Sequence, residues 1–111
     1  MLVREGTHIA TTKGFVAIED INPQAEVHLL VIPERHVDTF REIGEFPAKE
    51  VKRMLEFAAE TARGAGLEDY QVQVNVGPGA GQTIFHLHWH VLGRRSRQRT
   101  EAAYETAVSE L

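Results

Sequence analysis

The chain has no cysteine. That excludes a disulfide framework, thiolate zinc sites and a cysteine nucleophile together. It has no apolar run long enough to span a membrane, and its start, MLVREGTH, lacks the apolar stretch of a secretory signal. Internal repeats and low-complexity tracts are also missing from the sequence. These absences support a reducing, cytoplasmic setting with no membrane partner. Charge of one sign is scarce too. The formal net charge of −4 argues against nonspecific binding to nucleic acid, and no specific nucleic-acid partner is expected. One local exception is the run Arg94, Arg95, Arg97 and Arg99, which reads either as a solvated stretch or as a basic rim attracting phosphate-bearing substrates.

What is present is ordinary globular composition. With 42% hydrophobic and 25% charged residues in 111, the chain suits a single domain over 1–111 with a real core, and is too short for two. Apolar periodicity places short strands at about 7–11 and 14–19, turning through Thr12, Lys13 and Gly14. After a turn at Asn22-Pro23, residues 27–32 read as a stronger strand that stops at Pro33. Asp38 is placed to cap a short helical turn before Gly44. The main helix is expected to begin near Pro47, with Val51, Met54, Leu55, Ala58 and Ala62 on its core face and Gly64 and Gly66 as left-handed stops.

Residues 70–76, YQVQVNV, alternate with period two, setting Tyr70, Val72, Val74 and Val76 against a wetter face of Gln71, Gln73 and Asn75. The loop GPGAGQT follows, and residues 85–92, FHLHWHVL, alternate again. Phe85, Leu87, Trp89 and Val91 form one face there, and His86, His88 and His90 the other. Thr100 is placed to cap a last helix bearing Tyr104, Ala107, Val108 and Leu111. The fold class is therefore α+β, an antiparallel sheet with one main helix on one face plus a C-terminal helix. Its core covers about 7–95, with 96–111 a tail.

Three histidines on the polar face of an otherwise apolar strand are hard to explain by packing. On an ideal strand neighbours stand roughly 7 Å apart and the outer two about 13 Å. A metal reading is open: His-X-His suits zinc at about 2.0–2.1 Å, but the outer pair is too far apart to share one ion. The third ligand then has to be His28 or Asp20. The better-fitting reading is phosphoryl chemistry. A neutral imidazole is a competent nucleophile towards phosphorus, and an imidazolium beside it donates to phosphate oxygens or to a leaving group. Glycines of the preceding loop allow backbone N–H groups to approach an anion.

At AGQTIFHLHWHVLGRR, residues 80–95, the chain resembles the histidine triad family. The alternation of histidine and apolar residues from His86 to Leu92 meets the family pattern in full, and Gly81-Gln82-Thr83 matches its Gly-Gln-Ser/Thr. Val91-Leu92-Gly93 is closer to the nucleoside phosphoramidase (Hint) branch than to the dinucleoside-triphosphate hydrolase branch, which tends to place proline there. Residues 17–36, AIEDINPQAEVHLLVIPERH, resemble the same branch almost position by position, so the resemblance covers about 14–95.

The resemblance implies a five-stranded sheet per subunit, a homodimer joining two such sheets, and a purine nucleotide or nucleotide conjugate as ligand. It implies attack by His88 to give a covalent nucleotidyl-imidazole, with no cofactor and no metal. His90 would bond the phosphate and assist the leaving group, while His86 and His28 would orient the others and relay protons. Asp20 falls where the family binds ribose hydroxyls, Asn75 where it supports the phosphate, and Gly81, Gln82 and Thr83 where it cradles the α-phosphate. Ile18, Leu30 and Ile9 would contact the base. Asp20 has a plainer alternative, capping the Asn22-Pro23 turn, and Asn75 one as a solvated strand residue.

Two departures bear on substrate choice. Family members commonly carry a helix before the first strand, sometimes with cysteines that help bind zinc, and this chain has neither in its sequence pattern. A structural zinc is not expected, and one wall of the base pocket is expected to stand open, giving weak discrimination among bases. The chain also continues through RRSRQR, where that branch often ends. The activity implied is hydrolysis or transfer at the α-phosphate of nucleoside 5′-monophosphate derivatives of phosphoramidate type. A dinucleoside polyphosphate hydrolase or phosphorylase, and a nucleotide-binding regulator with vestigial turnover, are the alternatives.

Overall fold

A computed structural model describes residues 8–95 of the chain. Five strands form one antiparallel sheet: β1 (His8–Thr12), β2 (Phe15–Glu19), β3 (Val27–Pro33), β4 (Leu67–Gln73) and β5 (Trp89–Arg95), in the order β1-β2-β3-β5-β4. One long helix, α1 (Ala48–Gly64), follows a 3₁₀ segment at Phe40–Glu45. The α+β class and the single main helix are as the sequence indicates. The expected C-terminal helix, with Arg97 and Arg99, lies outside the described residues. Among the described residues no helix is long and apolar enough to cross a membrane.

Strand register assigns the faces. Residues paired directly across an antiparallel ladder share a face. Ile18 opposes Leu30, Leu30 opposes His90, and His28 opposes Leu92, so these five share one face. Phe15, Ala17, Val27, Leu29, Val31, Trp89 and Val91 join Met54, Phe57, Ala58 and Ala62 of α1 in the main core on the other face. Phe15 and Phe57 stack at 6.1 Å, docking the helix onto β2. Val16, Ile18, Leu30 and Ile32 form a second, smaller cluster on the histidine side.

The main helix begins one residue after Pro47, and Gly66, with φ of +83°, takes the left-handed position after it. Its buried stripe runs through Met54, Phe57, Ala58, Thr61 and Ala62. Leu55, expected in the core, is 45% exposed. Taking Met54 as the stripe's centre, the i+3, i+4 and i+7 positions are Phe57, Ala58 and Thr61, which leaves Leu55 on the flank. The 3₁₀ segment is capped by Thr39, not Asp38: the Thr39 hydroxyl accepts from the Arg41 N–H at 3.0 Å, while Glu42 accepts from the Thr39 N–H at 2.9 Å. The T-x-x-E spacing is a capping box.

Two strands sit three to four residues away from their expected places. β4 runs from Leu67 to Gln73, so Val74, Asn75 and Val76 lie beyond it, and Tyr70 and Val72 remain 37% and 46% exposed at the sheet edge. β5 starts at Trp89, because the Leu87 N–H turns to the Val37 carbonyl, past the end of β3. Hence only His90 of the three histidines lies in a strand. Gly93 explains the closeness of β4: a Cβ there would stand 2.8 Å from the Asp69 carbonyl oxygen and 3.1 Å from the Tyr70 Cβ.

Candidate active site

The site is best built from His28. This ring is buried in β3, and its Nδ1 accepts the Gln24 backbone N–H at 3.0 Å. An amide N–H only donates, so Nδ1 carries no proton and the proton of the neutral ring is on Nε2. That Nε2 lies 2.9 Å from His90 Nδ1 and 3.4 Å from Asp20 Oδ2. His28 therefore donates to His90, and His90 in turn carries its own proton on Nε2, directed away from His28. Burial holds His28 below the usual imidazole range, with Asp20 opposing. His90 is pushed down to about 4, first by burial and then by His88 and His28, against the pull of Asp20. Both rings are neutral near pH 7.

The same reasoning fixes His88. Its Nδ1 lies 2.7 Å from the His86 carbonyl oxygen, which only accepts, so Nδ1 holds the proton and Nε2 the lone pair. The His88 ring is partly exposed and stands edge-on to His90 with centroids 5.0 Å apart. An unprotonated nitrogen and an N–H donor thus belong to neighbouring rings. His86 behaves differently. Its Nε2–H donates to the Pro33 carbonyl at 2.8 Å and its ring stacks on His36 at 4.6 Å, so its contact with His88 runs through the backbone carbonyl. Burial, ahead of a raising contact from Pro33 and lowering ones from His36 and His88, keeps the His86 ring below its ordinary pKa.

Asp20 takes the plainer role foreseen for it and also meets His28. Its Oδ1 accepts the Asn22 N–H at 2.8 Å, capping the turn, while Oδ2 faces His28. Asp20, His28 and His90 offer ligand atoms all within 4.8 Å of one another, the one such trio among the described residues. It differs from the trios expected for metal, since neither His86 nor His88 belongs to it. The His28 tautomer disfavours a cation there: ligation through Nε2 moves the proton to Nδ1, where it collides with the Gln24 N–H, or leaves an imidazolate.

The glycine loop is braced from within. The Gly77 N–H donates to Gln82 Oε1 at 2.8 Å, the Gly81 N–H to the Pro78 carbonyl at 3.0 Å and the Gln82 N–H to the Gly77 carbonyl at 3.0 Å. The Gln82 side chain is buried and donates to the Asp38 and Ile84 carbonyls at 2.8 and 3.0 Å. These amides brace the loop, and are not presented as a row of donors to an anion. Asn75 Nδ2 donates to the Ala80 carbonyl at 2.7 Å, a further brace, and Thr83 is exposed. Of the residues expected to contact a base, Ile18 and Leu30 are 2% and 7% exposed. Ile9 lies within β1.

Periodicity gave no weight to His36 or Gln24. The first lies beyond the end of β3 and the second acts through its backbone, where side-chain pattern carries no signal. A cleft of about 490 Å³ lies away from the histidines, lined by Lys13, Gly14, Phe15, Arg35, Lys49, Glu50 and Arg53.

The HIT domain family matches residues 3–97. The chain belongs to the HIT family. A HIT-like protein of Chlamydia pneumoniae is 42% identical over 87 residues, covering 75% of this chain and 76% of its own length. The solved HIT family hydrolase from Clostridium thermocellum is 36% identical with a TM-score of 0.76 and 90% coverage of each chain. That from Legionella pneumophila is 34% identical with a TM-score of 0.75 and 88% coverage of each. The HIT fold of these neighbours is the five-stranded antiparallel sheet and single main helix described above.

Proposed function

We propose that this HIT protein is a nucleotide hydrolase or transferase acting at the α-phosphate of nucleoside 5′-monophosphate derivatives of phosphoramidate type. The observation that carries the reading is the bond from His88 Nδ1–H to the His86 carbonyl, because it leaves the Nε2 lone pair available on a partly exposed ring. His88 Nε2 attacks phosphorus and forms a P–N bond. The bond from phosphorus to the leaving group breaks, and that group departs with the electron pair and takes a proton. A water then attacks phosphorus, the P–Nε2 bond returns its pair to His88, and the water's proton is released. His90 Nε2–H bonds the developing charge on phosphate or leaving group, oriented from behind by His28. Asp20 binds ribose hydroxyls, with Asn75 and Thr83 on the phosphate side and Ile18 and Leu30 beneath a purine base.

The related hydrolases of Clostridium thermocellum and Legionella pneumophila support the hydrolase reading. A homodimer is part of the proposal. β4 is an edge strand with Tyr70 and Val72 exposed, and Leu55 of α1 is exposed as well. A second copy would cover such apolar surface and pair the edge.

The test is to trap the intermediate. Rapid mixing with an adenosine phosphoramidate, an alkaline quench and intact-mass measurement should show one nucleotidyl group per subunit, absent from His88→Ala. Turnover should fall roughly 10³-fold or more in that variant while nucleotide binding survives. Wild-type turnover with no adduct, or comparable turnover by His88→Ala, overturns the reading.

A further inference from the structure

The residues from Thr83 to His88 have no strand ladder to hold them, yet they carry the carbonyl that fixes the His88 tautomer. Packing does little for this stretch. Ile84 and Phe85 are 45% and 43% exposed, and only Leu87 is fully buried. Polar contacts with the last residue of β3 and the segment after it supply the remaining restraint. The Leu87 N–H donates to the Val37 carbonyl at 2.8 Å, the His86 ring to the Pro33 carbonyl at 2.8 Å, and Gln82 to the Asp38 carbonyl at 2.8 Å.

His36 completes this clasp. Its Nε2 lies 2.9 Å from the Phe85 carbonyl and 3.1 Å from Asp38 Oδ1, and both oxygens are acceptors, so Nε2 carries the proton. Its ring lies nearly parallel to that of His86, at 7° and 4.6 Å between centroids. Parallel stacked rings direct their in-plane lone pairs side by side, so the pair suits packing better than joint ligation. One side chain thus touches residue 85 through its carbonyl and residue 86 through its ring, on the segment whose next carbonyl holds the nucleophile.

We propose that His36 is a positioning residue for His88: through the Phe85 carbonyl and the His86 ring it sets the orientation of the His86 carbonyl, and so the proton position on the His88 imidazole. The inference rests on His88 as nucleophile for its kinetic consequence, but not for its tautomeric one. His36 is largely exposed, its side chain retaining 60% of its accessible surface, so substitutions there leave the core intact.

The test uses the intact chain with His36→Ala and His36→Gln. Glutamine keeps an N–H donor for the Phe85 carbonyl without the ring. Long-range nitrogen–proton NMR on the free protein should show His88 with its proton on Nδ1 in the wild type, a mixture of tautomers in His36→Ala, and recovery in His36→Gln. With an adenosine phosphoramidate, kcat should fall roughly tenfold in His36→Ala while KM stays within about twofold, and His36→Gln should regain most of it. An unchanged His88 tautomer with kcat within about twofold of wild type overturns the proposal. So do equal losses in both variants accompanied by raised KM and a lowered unfolding midpoint, which would mark a merely structural role. Should His88→Ala itself retain turnover, the nucleophile reading fails while the tautomer spectra still judge His36.

Discussion

The amide of Gln24 and the ring of His90 bind opposite nitrogens of His28, at 3.0 and 2.9 Å. The backbone of a loop thereby decides which way a proton points inside the sheet. Replacing Gln24 by proline removes that N–H, whereas alanine keeps it. Gln24→Pro should lower kcat roughly tenfold and release the His28 tautomer in ring-nitrogen NMR. Gln24→Ala should match wild type in both. Equal behaviour of the two variants would show that the amide has no such role.

Stability should depend on pH through the same rings. A histidine in the unfolded chain titrates at 6.5, while His90 in the fold titrates at about 4. Between those values the unfolded chain binds the extra proton, so acidification favours unfolding. The contribution is complete above the unfolded value and is lost as pH falls through the folded one. His28 and His86 shift in the same direction. Unfolding midpoints should drop from about pH 6.5 downwards, less steeply in His90→Gln. Parallel slopes in the two proteins would contradict the assignment.

Prolonged chelation should leave turnover unchanged, since the Asp20, His28 and His90 trio is read as a hydrogen-bonded relay. Activity lost to chelator and regained with zinc would make that trio a metal site instead.

Gly93→Ala should destabilise the sheet by roughly 1–3 kcal/mol, because the added methyl meets Asp69 and Tyr70 where β4 crosses β5. Urea unfolding should show a lower midpoint with an unchanged slope. A midpoint equal to wild type would mean that β4 yields without cost.

Much of this arrangement is legible in sequence, and its gaps have physical causes. Alternation set Tyr70 and Val72 opposite Gln71 and Gln73, because side-chain period two is a property of any extended chain. It misplaced the start of β5, since FHLHWHVL alternates throughout while the ladder begins only at Trp89. Extended backbone and paired backbone look alike in sequence. The candidate site residues His28, His88, His90 and Asp20 were singled out by residue type and resemblance. The tautomers were not, because they depend on the Gln24 amide and the His86 carbonyl, groups that every residue possesses. The loop's inward-facing amides were missed for a related reason: glycine content announces freedom of the backbone, and says nothing of which partner each N–H takes.

The bond between the His88 ring and the peptide carbonyl two positions earlier gives residue 86 two tasks. Its carbonyl accepts from the His88 ring, while its imidazole docks the segment at Pro33. A change of side chain at this position therefore reaches the His88 proton only through the main chain that the ring anchors. The one-residue gap between the histidines is then a reach requirement: a ring nitrogen at position 88 meets the carbonyl at 86, and a chain lengthened by one residue between them would present a different oxygen to the same ring.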